Sequence, residues 1–573
     1  MSHRYVTLLA VVLLVRPALA TASPWITIAA EGEDSPDGRP YGPLVLASRI
    51  SDDGAVSFGD APEGTPPSPP FTLWRWSEAS GAEHVAAIEG VAWSSWARPE
   101  LFANGAGDLA LREGSGPAPV ACGAGGTSEQ VRERLHGAPR GGDPALVTAT
   151  GAPAPGAPDL TIARLIQFSW EGGGFGRRAW LFPFPAPSLD PGGALTFYAH
   201  TAHDPCFLDD PGASLPAAVF APDGAGGSAL VARDGDPLPG AGDGEVIRLD
   251  SFERVAAADA VFVSSLLGEI ERGEPQPGAL LRWRGGLLET VVRPGEPSAF
   301  AGGAVLADVG LPASSPSGTI ALAAKRAAED GTTPDPAGAG IWLGDADGVA
   351  ERWPLVGAVP GGPAGAVFVE ASAESALPGA IRVNDAGEVA FVAKFRTAPG
   401  AEPTSGLFGP GADGSPVLRL TAGASTSGGS TLLWFEPLHL AEDGTLLVRA
   451  GLPVGPGVCC RSSDYSWHLL PRAGGPRLLL RETDLVEVAP GDLRSIGSYR
   501  MAYDTALTRF GMVFGVVGRL SREPTAIAVL TVPEPRAPLA GAGALVALGL
   551  RASRRRARRP IRRGGSARTP LAS

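Results

Sequence analysis

The sequence predicts an all-β fold: a β-propeller of eight four-stranded blades, or seven if one degenerate copy of its repeat is not a blade. Three observations predict it. A degenerate repeat recurs about every 65 residues. Asp-Gly and Gly-Gly dipeptides stand at matching places in the repeats, where a tight hairpin needs positive φ at its central residues. The two ends of residues 25–532 carry complementary half-repeats. Composition agrees. The chain is 44% apolar, enough for a core despite 79 Gly and 56 Pro, and only 19% charged, too few for a coiled coil. Four Cys in 573 residues are no disulfide scaffold.

The clearest repeat unit runs from Val383 to Phe391, with Asn384, Gly387, Ala390 and Phe391 marking a turn, a Gly and an apolar strand. Equivalent segments end at positions 58, 111, 197, 322 and 448, with degenerate copies ending at 262 and 514. A second strand type ends at a Gly before a Pro-rich loop, as in Ala229–Gly240. A third, aromatic type precedes it by one hairpin, as in Leu281-Arg282-Trp283 and Ile341-Trp342-Leu343. One further apolar segment completes four strands per repeat, the size of a propeller blade with generous loops. Helix content is expected to be close to nil.

The termini favour a closed ring. Trp25–Gly32 is a second-type strand with no aromatic partner, and Ala526–Val532 is an aromatic-type strand with none of the second type. Pairing them completes a blade and removes two exposed edges. The step from 111 to 197 is about 20 residues too long. That surplus includes 123–142 and 171–176, the kind of projecting loop where binding usually sits.

Residues 1–22 read as a secretory signal: Arg4, the apolar run Val6–Val15, then small residues around Ala20 and Ala22. Residues 533–573 open with Pro533, Glu534 and Pro535. The apolar stretch Ala537–Leu550 follows, then a tail with nine Arg and no acid over 551–573. Such a cluster stays cytoplasmic and stops transfer of the apolar segment, which inserts transiently in the inner membrane. The formal net charge is −13 with that tail included, so the rest is more acidic still. A body so acidic is not expected to bind nucleic acid.

The order of these three C-terminal parts resembles the PEP-CTERM sorting signal of exported bacterial proteins. That resemblance implies an exosortase-type membrane transpeptidase as partner. The repeat resembles a family of exported bacterial proteins with tandem NxxGxxAF units, matched letter for letter at Asn384, Gly387, Ala390 and Phe391. It implies architecture and destination without an agreed activity.

Chemistry-bearing constellations are sparse. His200, His203 and Asp204 form the only close His pair, and no fourth zinc ligand is evident. Asp345-Ala346-Asp347-Gly348, Asp52-Asp53 and Glu442-Asp443 look like partial calcium loops, but each occupies a repeat turn. No metal or cofactor is therefore expected. Cys122 and Cys206 read as linker residues flanking the third repeat, able to form a disulfide in an oxidising compartment. Cys459-Cys460 is vicinal, with His468 the sole nearby imidazole. Trp74, Trp76, Trp283, Trp342 and Trp467 on aromatic strands are expected to pack between blades. Trp93 and Trp96 are better placed to stack on a sugar.

These features point to an exported cell-surface or matrix-associated structural or binding protein. It has no catalytic residues, and extracellular polysaccharide or envelope components are possible partners. The alternative is a secreted propeller enzyme acting on carbohydrate through central carboxylates, one of them with a raised pKa.

Overall fold

The computed structural model describes residues 25–60, 70–89, 91, 99–121, 127–165, 187–190, 192–203, 215–242, 245–266, 278–328, 334–369, 379–398, 400–425, 431–453, 464–481, 484–489, 492–503, 512–517 and 524–530. The signal segment 1–22 and the C-terminal segment from Pro533 lie outside these residues. Within them the chain is a β-propeller whose only helical element is a 3₁₀ turn, Ala256–Ala258.

Hydrogen bonding gathers the strands into seven sheets, the smaller of the two counts expected. All eight repeat copies still appear as strands, because the largest sheet holds eight strands and two successive meanders, 44–88 and 100–149. These two meet through one parallel bridge, Ala47 with Leu101. We number the repeat units one to eight in chain order from Leu44. Their innermost segments are neighbours around the centre: 44–50 lies beside 100–103, 249–255 beside 313–314, 379–383 beside 434–440, and 492–503 beside 44–50.

Ring closure follows the sequence. Strand Trp25–Ala30 pairs antiparallel with Pro524–Leu530, with Trp25 opposite Leu530 and Thr27 opposite Ala528. The eighth unit thus takes its outermost strand from the N-terminal end, and neither strand is left with that edge open.

The repeat letters have packing reasons. Strand Val389–Arg396 is buried on both faces at its start, so it reads as a continuous apolar run and not as an alternation. Phe391 lies opposite Phe408 of the aromatic strand, ring centroids 5.1 Å apart and 10° from parallel. Phe197 repeats this on Phe220 at 5.1 Å, and Phe58 on Trp74 at 6.5 Å. The aromatic strand is therefore aromatic because it faces the motif's Phe across one strand pair. Trp74, Trp342 and Trp467 are fully buried, and Trp76 and Trp283 nearly so, in keeping with the packing role. Trp93 and Trp96 lie outside the described residues.

The Gly ending each second-type strand turns the chain inward. Gly235 has φ +85° and donates to the Ile247 carbonyl, and Gly295 has φ +80° and donates to that of Leu306. A side chain would be strained there. The surplus between 111 and 197 is spent partly on long strands. Leu109–Ala121 and Thr127–Ala138 form an extended hairpin within unit two. Cys122, Cys206 and the 459–460 pair lie outside the described residues, as do 166–186.

Candidate functional site

The motif turns come first, because the sequence singled them out. Asn384 is buried. Its Oδ1 accepts from the Glu388 amide at 2.9 Å, and its Nδ2 donates to Glu388 Oε2 at 3.0 Å. The same Nδ2 also donates to the Ala441 carbonyl of the next unit at 3.1 Å. Gly387, at φ +75°, donates its amide back to the Asn384 carbonyl and closes the turn. An Asn suits the position because its amide oxygen accepts from its own turn while its amide nitrogen donates to a neighbour. Asn104 does the same in unit two: Oδ1 takes the Asp108 amide at 2.9 Å, and Nδ2 reaches the Asp190 carbonyl of unit three at 2.5 Å. Elsewhere the link changes partners. Ser317 N donates to Asp385 Oδ1 at 2.8 Å, and Asp385 N to Glu442 Oε1 at 3.0 Å. The motif turns thus join neighbouring units along one face.

The would-be calcium loops behave as turns. Asp345 Oδ1 accepts from the amides of Asp347 and Gly348, and Asp347 pairs with Arg284 at 2.6 Å. Asp443 Oδ1 accepts from Thr445 N at 2.8 Å. His200 lies in strand Leu195–Ala202, half-buried, with Nδ1 3.0 Å from the Leu215 carbonyl oxygen. His203 is exposed past the strand end, and Asp204 lies outside the described residues. Among the described residues no three His, Cys, Asp or Glu side chains gather to hold a metal ion.

The opposite ends of the same strands hold a feature the sequence reading missed. Asp234, just past strand Ser228–Arg233, accepts from the Leu249 amide at 2.6 Å and the Ala217 amide at 3.2 Å. Asp250 opens the inner strand of unit four and accepts from Ser264 Oγ at 3.4 Å. Asp308, on the inner strand of unit five, accepts from the Gly278 amide at 3.3 Å. A Cβ built on Gly278 would lie 4.0 Å from Ser264 Oγ, so the Asp250 and Asp308 contacts adjoin across one strand pair. Burial pushes all three carboxyls above their usual range, against amides at Asp234 and Asp308, the Ser264 hydroxyl at Asp250 and, at Asp308, the charge of Lys325. Burial likewise pushes the Lys325 ammonium down, with Asp308 opposing. Deeper in the ring, burial raises Glu253, which accepts from Ser314 Oγ at 2.7 Å. Three half-buried carboxyls in adjoining units are thus harder to ionise than ordinary carboxyls, the direction of shift that acid–base chemistry draws on. The one signal was Asp234 beside the strand-ending Gly235, which reads as turn chemistry.

Clefts open between units among the described residues. One, of about 330 Å³, lies between units four and five and is lined by ion pairs already made, among them Arg282 with Glu289 and Arg293 with Glu296. Another, of about 290 Å³, lies between units one and two beside Arg75, His84 and Arg140. No described helix is long and apolar enough to cross a membrane.

A family of unknown function, DUF7453, matches residues 173–352. None of the curated proteins compared matches the chain. Among solved structures, the chain is similar to the β-propeller domain of the Trilobed protease from Pyrococcus furiosus, with 10% identity over 76% of this chain and 98% of that one, at a TM-score of 0.33. It is similar to the Dos1 propeller, with 9% identity over 88% and 95%, at a TM-score of 0.37. It is also similar to an α-L-arabinanase from Penicillium chrysogenum complexed with arabinobiose, with 10% identity over 67% and 97%, at a TM-score of 0.24.

Proposed function

We propose that the chain is an exported, surface-held structural or binding propeller with no catalytic activity of its own. It is delivered by the N-terminal signal and processed at Pro533-Glu534-Pro535 by an exosortase-type transpeptidase. The observation that carries this reading is the work done by the motif. Asn384, Gly387, Ala390 and Phe391 are all spent on closing a turn, joining neighbouring units or filling the core. A repeat used in that way is a scaffold, and function falls to its faces and clefts. The acidic body and the Arg-rich tail fit a chain that leaves its cation cluster on the cytoplasmic side.

The test is fractionation and intact-mass measurement of the full chain in a bacterial host with an exosortase. The expected species lacks both ends, with its C-terminal break near Pro533–Pro535, and is recovered from the cell surface or medium. A chain that keeps its Arg tail in the inner membrane contradicts the reading.

A second reading has an observation of its own. The raised carboxyls of Asp234, Asp250 and Asp308 support acid–base chemistry on a carbohydrate. Turnover of a polysaccharide by the purified protein, abolished in Asp250→Asn, would favour it over the binding module.

A further inference from the structure

The geometry points to the cleft between units one and two as a binding site for a carboxylate-bearing sugar residue, of the kind found in polyuronate polysaccharides. This deepens the binding reading above and rests on it. The cleft holds about 290 Å³, near the lower end of small-ligand pockets and suited to a single sugar unit.

Its cationic wall is built and held. Arg75, on strand Phe71–Ser77, and Arg140, on the turn after strand Thr127–Ala138, both direct Nη2 to Asp53 Oδ2, at 2.8 and 2.7 Å. Asp53 is itself fixed, since its Oδ1 accepts from Ser51 Oγ at 2.6 Å and from the Ala55 amide at 3.2 Å. Burial pushes the Asp53 carboxyl up, but these two donors and the two guanidinium charges outweigh it, so Asp53 stays ionised. The Arg140 amide donates to Asp108 Oδ1 at 2.7 Å, and Asp108 Oδ2 is held by Asn104 of the repeat motif at 2.7 Å. The Arg75 guanidinium lies across Gly107, at φ +89°, where a built Cβ would sit 3.4 Å from Nη2. One carboxylate thus anchors two guanidiniums by one nitrogen each. Arg140 Nη1 also donates to the Ala106 carbonyl at 3.4 Å. Each guanidinium carries five N–H groups, more than these contacts use, in the fork that grips carboxylates.

The rest of the lining selects among anions. Glu83, His84 and Asp143 are exposed at the cleft. Glu83 and Asp143 are acceptors facing the space that the guanidiniums fill with donors. A phosphate offers no hydrogens to these acids at full charge, and they repel it. A uronic acid offers one carboxylate to the arginines and several hydroxyls to Glu83 and Asp143. The two acids also explain how a cationic wall avoids capturing every anion.

The test uses the purified full chain. Isothermal titration with trigalacturonate is compared with a neutral trisaccharide of galactose and with inorganic phosphate, and polygalacturonate is cast into a native gel. Expected is trigalacturonate binding, a neutral trisaccharide at least about tenfold weaker, and loss of about tenfold or more in Arg140→Gln. Arg140 is half-exposed, so its replacement should leave the unfolding midpoint in place, and Arg75→Gln provides a second variant. The assignment is overturned if trigalacturonate neither binds nor retards the protein. It is overturned if both Arg variants bind as well as the parent, or if phosphate competes as strongly as galacturonate. A protein that is exported and trimmed but binds no uronate sinks this site alone. A uronate binder that is never exported sinks the destination alone.

Discussion

The same kind of link, a motif-turn acid of one unit held by an arginine from the outer hairpin of the next, occurs at two junctions with opposite results. Between units six and seven, Glu388 takes Arg472 Nη2 on an oxygen that also receives Asn384 Nδ2, and the acid is almost fully buried. Between units one and two, Asp53 takes Arg140, yet Arg140 stays half-exposed and a cleft opens beside it. Chain length is one cause. Glu388 reaches past its own Asn clasp to a neighbouring side chain, whereas the shorter Asp108, at the same place in its motif, reaches only the Arg140 main chain. The arginine side chain in unit two is thereby left for Asp53 and the cleft. One scaffold rule thus makes a sealed seam or a recognition surface, depending on one methylene and the arginine's position.

The largest expected effect comes from breaking the ring that both junctions share. Deleting the chain through Ala30 removes the strand opposite Pro524–Leu530. Cooperative unfolding in urea should disappear, with dye binding to exposed apolar surface in its place. Next is the sealed side of the comparison. Phe391→Ala should cost about 3–5 kcal/mol in urea unfolding, because the ring is fully buried against Phe408. Asn384→Ala should cost less, about 1–3 kcal/mol, through the orphaned Glu388 amide and Ala441 carbonyl. Asn104→Ala should match it in stability and also weaken uronate binding, since it removes the clasp that positions Asp108 against the Arg140 amide.

A smaller effect is expected from pH. His468 is buried within 2.9 Å of Ser466 Oγ, and burial pushes its imidazole down to about 4. In the unfolded chain it titrates near about 6.5. The unfolded state therefore binds the proton first. Stability is full above about pH 6.5 and drains as pH falls toward 4, by at most about 3 kcal/mol. His468→Gln should flatten that part of the profile without touching the cleft. The smallest effect is at Asp250. Its raised carboxyl is a cost of burial at neutral pH. Asp250→Asn should therefore leave stability at pH 7 unchanged or slightly higher, as thermal unfolding would show.

Much of the architecture was legible because it is periodic. Gly387 and Gly235 announced turns, Phe391 and its counterparts announced the strands that follow the motif turns, and the half-repeats at Trp25 and Ala526 announced the closing pair. The count was less legible. Units one and two share a sheet through a single bridge at Ala47, which leaves no mark in the sequence. The sites were hardly legible at all. Arg75 and Arg140 stand 65 positions apart in unremarkable segments and converge only because Asp53 and Asp108 fix both. Asp234 sits beside the strand-ending Gly235, Asp250 and Asp308 belong to no motif, and burial, which no spacing encodes, raises the pKa of all three.

The contrast between the two junctions is tested most directly by one paired measurement: urea unfolding and trigalacturonate titration of Arg140→Gln and Arg472→Gln side by side. The predicted result is a crossed pattern. Arg472→Gln loses stability and keeps binding, whereas Arg140→Gln keeps stability and loses binding about tenfold. Parallel losses in both variants, or binding indifferent to Arg140, would contradict the account.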